Sequence, residues 1–425
     1  MIAILIAIII ISVIISRWSF FQYNKLPIPA IIIVLLLKSV AGYLSFKYHN
    51  IYFAGGDGAI YLQGGKDLIR FSGGNPIVFL KLFFNLNRGI PEWESIYTQL
   101  IYWDSKASMN FINDNRNAIR LNSIISLFSF NNLGLHIILL NFLSIIGLTA
   151  LYKSFRMSFP SVMPLAVFVA VFLSPSILFW TSGILKETHT VFIVGFYLLY
   201  LTKLLARFSI KNGLLLLLFA FLLLHVRTYF AMIVFASTFF VLLLNFIQLQ
   251  SNKKRIFILF SFIILLIITI LTLAIEPLEI LIQKQQDFIL IGQKANSYFT
   301  ISPLLNISDL FLHFPEAFIN VFLQTQLLSF DSWLYIFPII ENLDVLIFIF
   351  IAIKYTKWPS KEAYAMLCGI FLIYVLSSWL IGLTVPIQGA IARYKSISQP
   401  FLLLFIFSFI DWDRLNKKYL RIPTD

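Results

Sequence analysis

Residues 255–275 read RIFILFSFIILLIITILTLAI, and residues 1–16 read MIAILIAIIIISVIIS. An α-helix rises about 1.5 Å per residue, so apolar runs of this length reach across a hydrocarbon core about 30 Å thick. The runs are continuous and do not alternate, which excludes a membrane β-barrel. The composition agrees: of 425 residues, 60% are hydrophobic, 12% are charged and 45 are Phe. A soluble domain holds charged residues near about a quarter and could not hide this much apolar surface. The sequence therefore predicts an all-α polytopic membrane protein. The lone cysteine, Cys368, lies in an apolar run, so disulfides play no part. The first residues are apolar with no basic segment ahead of them, and they read as a retained helix.

Hydropathy places about eleven spans, near residues 2–16, 28–46, 133–152, 161–180, 188–205, 210–225, 228–247, 256–275, 339–354, 364–383 and 394–410. Alternate loops differ sharply in charge. One set, from Arg17 and Lys25 through Lys253, Lys254 and Arg255 to the C-terminal tail, holds 17 of the 32 basic residues. The short loops of the other set hold only Lys186, Arg227, Arg393 and Lys395. Basic loops stay in the cytoplasm, so the N-terminus is expected outside and the C-terminus inside, in a bacterial inner membrane. The formal charge of +13 is then a topology signal, and no nucleic-acid partner is implied. The whole chain, 1–425, reads as a single transmembrane domain with two long outer loops, 47–132 and 276–338. They include amphipathic pieces such as AIRLNSIISLFSF (118–130) that suit the membrane surface. Most acids and all the histidines map to the outer face. Lys38 alone lies well inside a span, where a snorkelling side chain explains it.

Five stretches could carry chemistry. In GGDGAIYLQGGKDLI (55–69), glycines flank Asp57, which either caps the following helix or points into a cleft, with Tyr61 one turn on. In SPSILFWTSGILKETHTVFIV (174–194), Lys186, Glu187 and His189 open a span, and Lys186 and His189 share a helix face. They line a polar cavity or form an exposed lead-in with a Lys–Glu pair. In LLLHVRTYFAM (222–232), two crossings between basic loops leave few residues for a turn and pin Arg227 near the outer surface, as anion site or anchor. In QGAIARYKSISQPFLLLF (388–405), Arg393, Tyr394 and Lys395 open the last span, with Pro400 as a kink. FPEAFINVF and FPIIENLDVLIFIF supply Glu316, Glu341 and Asp344. The last two fall in the first turn of a span, where acids complement the helix dipole. DWD (411–413) has too little chain after it for a nucleotide-binding domain. EWE (92–94) lacks a further ligand group, so no clear motif supports a divalent cation, and the cofactor stays open.

A carboxylate in the first outer loop, further acids, and basic groups at lipid depth suit sugar transfer from a lipid phosphate. A base takes the acceptor proton, and cations hold the departing phosphate. At these residues the chain resembles the GT-C superfamily of membrane glycosyltransferases, which use polyprenyl-phosphate-linked sugars. GGDGAIYLQGGKDLI is similar to the family's first loop, SPSILFWTSGILKETHTVFIVGFYLLYL to its second polar segment, and IARYKSISQPFLLLF to its Arg-Tyr and proline ending. The resemblance implies Asp57 as the base with Glu187 as a second acid. It implies Arg393, with Arg227 and Lys186, for the donor phosphate, and Tyr61, His189, Glu316, Glu341 and Tyr394 as substrate-lining groups. The partners implied are a lipid-linked donor, a glycan or lipid-linked acceptor, and the bilayer. The chain departs from the family in lacking a paired acid, because Gly58 follows Asp57. Two alternatives remain: a polysaccharide repeat-unit polymerase or ligase, and a lipid-sugar flippase or transporter.

Overall fold

The computed structural model describes residues 2–23, 26–52, 56–87, 89–101, 103, 113–248, 277–295, 297–323 and 336–420. In chain order the helices are α1 (Ile2–Arg17), α2 (Ile28–Tyr52), α3 (Gly56–Phe71), α4 (Pro76–Phe84), α5 (Pro91–Gln99), α6 (Asp114–Ser129) and α7 (Leu133–Ser158). Then come α8 (Pro164–Phe168), α9 (Pro175–Trp180), α10 (Lys186–Ala206), α11 (Ile210–Val226) and α12 (Thr228–Gln248). The last group is α13 (Pro277–Gly292), α14 (Ile307–Leu312), α15 (Phe314–Phe322), α16 (Ile336–Lys354), α17 (Tyr364–Thr384), α18 (Gln388–Lys395), α19 (Gln399–Phe407) and α20 (Trp412–Leu415). No β-strand forms among the described residues. The protein is an all-α membrane protein.

Five segments are long and apolar enough to cross a bilayer: Ile28–Ile51, Leu133–Ser158, Lys186–Ala206, Thr228–Asn245 and Lys361–Thr384. Helices α1 and α11 are apolar but shorter. The expected span at 256–275, and with it part of the second outer loop, lies outside the described residues. Two other expected spans are interrupted. In 161–180, α8 runs into a π-helical turn at Val169–Leu173, and Ser174 is then extended at ψ 128° before Pro175 opens α9. The ring of a proline excludes its predecessor from the helical region, which explains the break. In 394–410 the chain turns at Ser396–Ser398 between α18 and α19, so Pro400 sits in the first turn of a new helix and does not kink a continuous one.

The chain divides into two compact units. The first holds residues 1–154, 177–205 and 209–228. Its core packs Tyr61, Leu62 and Leu68 of α3 against Ala118 and Ile119 of α6, with Tyr97, Trp103 and Leu140. Helix α6 is amphipathic, burying Asn122, Ser126 and Ser129 as well as Ala118 and Ile119 and leaving Leu127 and Phe128 outside. Close approach needs small residues: a Cβ on Gly65 would stand 2.7 Å from the Ser123 nitrogen. Helices α7 and α10 touch through Gly147 and Gly195, and Ser154 and Thr202 share a 2.8 Å hydrogen bond further along. In the second unit (155–176, 206–208 and 229–425), α15 lies against α17. There Asn320 donates to the Gly382 carbonyl at 3.1 Å, and Phe371 stacks on Phe405 of α19 at 4.4 Å.

Candidate functional site

In the first unit, the expected polar residues gather around the starts of α3 and α10. Asp57 lies inside the first turn of α3, half-buried, and not at a cap position ahead of it. Gly56 before it has φ +54°, in the left-handed region where a side chain is strained, so glycine makes this turn possible. Gly58 after it lets α3 meet the segment before α10, since a Cβ there would stand 3.0 Å from the Ile184 carbonyl.

Lys186 and Glu187 do not pair with each other. Lys186 Nζ sits 2.8 Å from an Asp114 carboxylate oxygen and 5.5 Å from the Tyr61 ring centroid, within electrostatic reach of Asp57. Glu187 is fully buried and receives a 3.0 Å bond from the Arg227 guanidinium. Arg227 is the single non-helical residue between α11 and α12, at φ −153° and ψ 76°. The expected turn therefore falls on it. His189 is buried too, and no hydrogen bond reaches either of its ring nitrogens among the described residues. Tyr61 hydroxyl donates to Asn115 at 3.0 Å, which ties α3 to the first turn of α6. Arg120, one face along on α6, donates to the Phe83 carbonyl at 2.6 Å; burial and then its neighbour Arg116 pull its guanidinium down to about 10. It still carries its charge at neutral pH.

Lys38 departs from expectation. It does not snorkel: its ammonium is fully buried and donates to the Ile177 carbonyl at 3.2 Å, the Thr181 carbonyl at 2.9 Å and the Thr181 hydroxyl at 2.6 Å. A lysine supplies three donors, and the Thr181 hydroxyl that accepts one of them itself donates to the Ile177 carbonyl at 2.6 Å. Lys38 thus fastens the Thr181–Leu185 segment that leads into Lys186 and Glu187.

The remaining expected residues belong to the second unit. Glu341 is buried on α16 and accepts from Ser174 Oγ at 2.5 Å, Ser176 N at 2.6 Å and Ser176 Oγ at 2.5 Å. Its neighbour Asn342 accepts a 3.1 Å bond from buried Lys395, which also feels the Glu341 charge. Helix α16 begins at Ile336, so Glu341 and Asp344 lie beyond its first turn, and the dipole explanation of Asp344 does not hold. Arg393 and Tyr394 stand in the last turn of α18, with Tyr394 edge-on to Phe288 at 6.0 Å. Glu316 serves local structure: it accepts from Ser302 N at 2.8 Å and lies 3.6 Å from His313. Among the described residues, no three His, Cys, Asp or Glu side chains come together as metal ligands.

Neither family models, curated proteins nor solved structures match this chain.

Sequence reasoning missed Asp114, Asn115 and the serines that hold Glu341. Each is an ordinary polar residue whose signal is a partner far along the chain. Asp114 reads only as an acid in the first turn of an amphipathic helix, which the dipole already explains. The two remaining acidic motifs have local roles. Glu94 accepts from Gly89 N at 2.9 Å ahead of α5, and Asp411 caps α20 through Arg414 N at 3.1 Å.

Proposed function

We propose that this protein is a membrane-embedded glycosyltransferase that moves a sugar from a polyprenyl-phosphate donor to an acceptor hydroxyl on the extracytoplasmic face of a bacterial inner membrane. The observation that carries the reading is the grouping at the start of α3. A carboxylate held in a glycine turn, Asp57, lies in the field of Lys186, which pairs with Asp114 and precedes Glu187, the partner of Arg227. A carboxylate so placed takes the proton of an attacking alcohol, and fixed cations stabilise a departing phosphate. Lys186 and Arg227 are offered to the donor phosphate. Glu187 neutralises and orients Arg227, which is a different task from a second base. In the reaction the acceptor oxygen bonds to the anomeric carbon, the bond from that carbon to the phosphate oxygen breaks, and polyprenyl phosphate leaves with the electron pair.

The test uses the protein in nanodiscs with radiolabelled polyprenyl-phosphate sugars and an acceptor glycan, wild type beside Asp57→Asn. Expected are transfer by the wild type and a loss of about 100-fold or more in the variant, the usual scale for a general base. Turnover unchanged in Asp57→Asn would reject the assignment of the base. Binding only of pyrophosphate-linked oligosaccharides would shift the reading to a repeat-unit polymerase or ligase.

A second reading, a lipid-sugar flippase or transporter, is favoured by one observation in the second unit. Buried Glu341 and Lys395 stand where helices are interrupted, at Ser174 and at Ser396–Ser398. Broken helices with buried charge are a recurring feature of transporters. Vesicle uptake of a labelled lipid-linked sugar without any bond cleavage would support it over transfer.

A further inference from the structure

Toward the C-terminal end of α3, its polar face opens on a cavity of about 610 Å³, within the size range of small-ligand sites. Helix α3 supplies Gln63, Lys66, Asp67 and Arg70, whose i, i+3, i+4, i+7 spacing puts them on one face. Ser126 and Leu127 of α6 and Phe130 just after it form the opposite wall. Lys66 stands nine residues beyond Asp57, about 14 Å along the axis, so this cavity is separate from the grouping at the start of α3. Its walls are fixed: His136 of α7 reaches Asn122 with Nε2 at 2.8 Å and Ser129 with Nδ1 at 3.1 Å, which ties the end of α6 to a spanning helix. Asp67 Oδ1 accepts from Gln63 at 3.1 Å and lies 3.0 Å from the Arg70 guanidinium. Lys66 is left uncommitted: no hydrogen bond or ion pair reaches it among the described residues. Ser126 is buried in the wall, and its hydroxyl too has no hydrogen-bond partner among the described residues. The cavity thus carries two cations against one carboxylate. Its depth follows from the chain: Phe130 comes three residues before Leu133, where spanning helix α7 begins, and neither α3 nor α6 is long and apolar enough to cross. Leu127, Phe128 and Phe130 are exposed there, Phe130 by 82%. An amphipathic helix at that level lays such side chains among acyl chains and turns its polar groups to the head groups.

We propose that this cavity binds the head group of an anionic phospholipid, with Lys66 on the phosphodiester and Leu127 and Phe130 against the acyl chain. An ammonium with no partner, beside a guanidinium, attracts a phosphate, and the attraction is strongest at a membrane surface. The single excess positive charge matches a phosphodiester, which carries one negative charge. A phosphate monoester carries about 1.5 to 2 and is matched less well. A zwitterionic lipid brings an amine as well, and the only acid in the cavity, Asp67, is already engaged by Gln63 and Arg70. The exposed Phe130 and Leu127 add affinity only for a ligand with a tail, which favours a lipid over free phosphate. A lipid so held pins the paired helices α3 and α6 to the bilayer surface, whether or not the chain transfers sugar.

The experiment titrates the full chain in detergent with phosphatidylglycerol, phosphatidylcholine, polyprenyl phosphate and inorganic phosphate, and reads bound ligand by native mass spectrometry. Expected for the wild type is one tightly held phosphatidylglycerol, bound at least about 5-fold more tightly than phosphatidylcholine. Lys66→Gln weakens phosphatidylglycerol by about 5-fold or more, and Lys66→Arg, which keeps the charge, retains it. Asp67→Asn removes the competing carboxylate and releases Arg70, so it tightens the lipid, an effect that a merely structural role for Asp67 does not produce. Lys81→Gln, an exposed lysine outside the cavity, leaves binding unchanged. Equal affinity for the two phospholipids overturns the proposal, as does a Lys66→Gln variant that binds phosphatidylglycerol like the wild type. Tighter binding of inorganic phosphate or of polyprenyl phosphate than of phosphatidylglycerol also overturns it, by assigning the cavity to a soluble anion or to the sugar donor. If Lys66→Gln does not fold, the gain in Asp67→Asn decides. None of these readouts uses turnover, so the lipid site and the transferase reading stand or fall separately.

Discussion

Glu187 shows what a single buried charge demands. Its side chain is fully shielded from solvent, and the Arg227 guanidinium 3.0 Å away is its charged partner. A buried pair contributes little net stability, because desolvation offsets the attraction, but removing one member leaves the other charge buried and uncompensated. Arg227→Met is therefore expected to lower stability by about 3–5 kcal/mol, whereas Glu187→Gln with Arg227→Met recovers much of it. Thermal unfolding in detergent of the two single variants and the double variant measures this coupling; additive losses would show that the two side chains do not act as a pair. Lys38 makes the same point with a cation: hydropathy marks it as an intruder in a span, while its three acceptors make it a fastening.

At the scale of elements, small residues decide where helices meet. Gly147 and Gly195 bring α7 and α10 into backbone contact, and a Cβ on Gly195 would collide with the Gly147 carbonyl. The obstacle is backbone, which has no rotamer to yield, so the helices would have to separate. Gly195→Ala is expected to destabilise the protein by about 1–3 kcal/mol or more, although alanine is the better helix former. Gly213→Ala is the control, since nothing lies within 4 Å of a Cβ there. Equal melting temperatures for the two variants would refute the close crossing. The interrupted helices belong to this scale too. Proline explains why α9 starts afresh at Pro175, but hydropathy sees only one apolar stretch from 161 to 180 and another from 394 to 410.

For the whole molecule, the distribution of basic residues makes a prediction about sidedness that the helices themselves do not carry. The loop with Lys354, Lys357 and Lys361 is expected in the cytoplasm, and the first long loop outside. Cys368 is the only native cysteine, so a Cys368→Ser background leaves a clean reporter. In it, Trp358→Cys is expected to react with a membrane-impermeant maleimide only from the cytoplasmic side, and Gly74→Cys only from the outside. Both positions are solvent-exposed. The reverse pattern would invert the map and move the site around Asp57 to the cytoplasmic face, where a nucleotide-sugar donor becomes available.

The sequence by itself determined the class of protein, the position of most apolar helices and the turn at Arg227. These follow from local quantities: the length of an apolar run against the thickness of a bilayer, and the number of residues between two basic loops. It also marked Asp57, Lys186, Glu187 and Arg227 as unusual, because charge at lipid depth is conspicuous in any chain. Only the tertiary structure decided who pairs with whom. Lys186 takes Asp114 and not its neighbour Glu187, while Glu187 takes Arg227, and Lys38 turns inward to the end of α9. The reason is physical: a buried charge or donor is satisfied by whatever group the packing of helices brings within about 3 Å, and residues far apart in the chain carry no mark of that meeting.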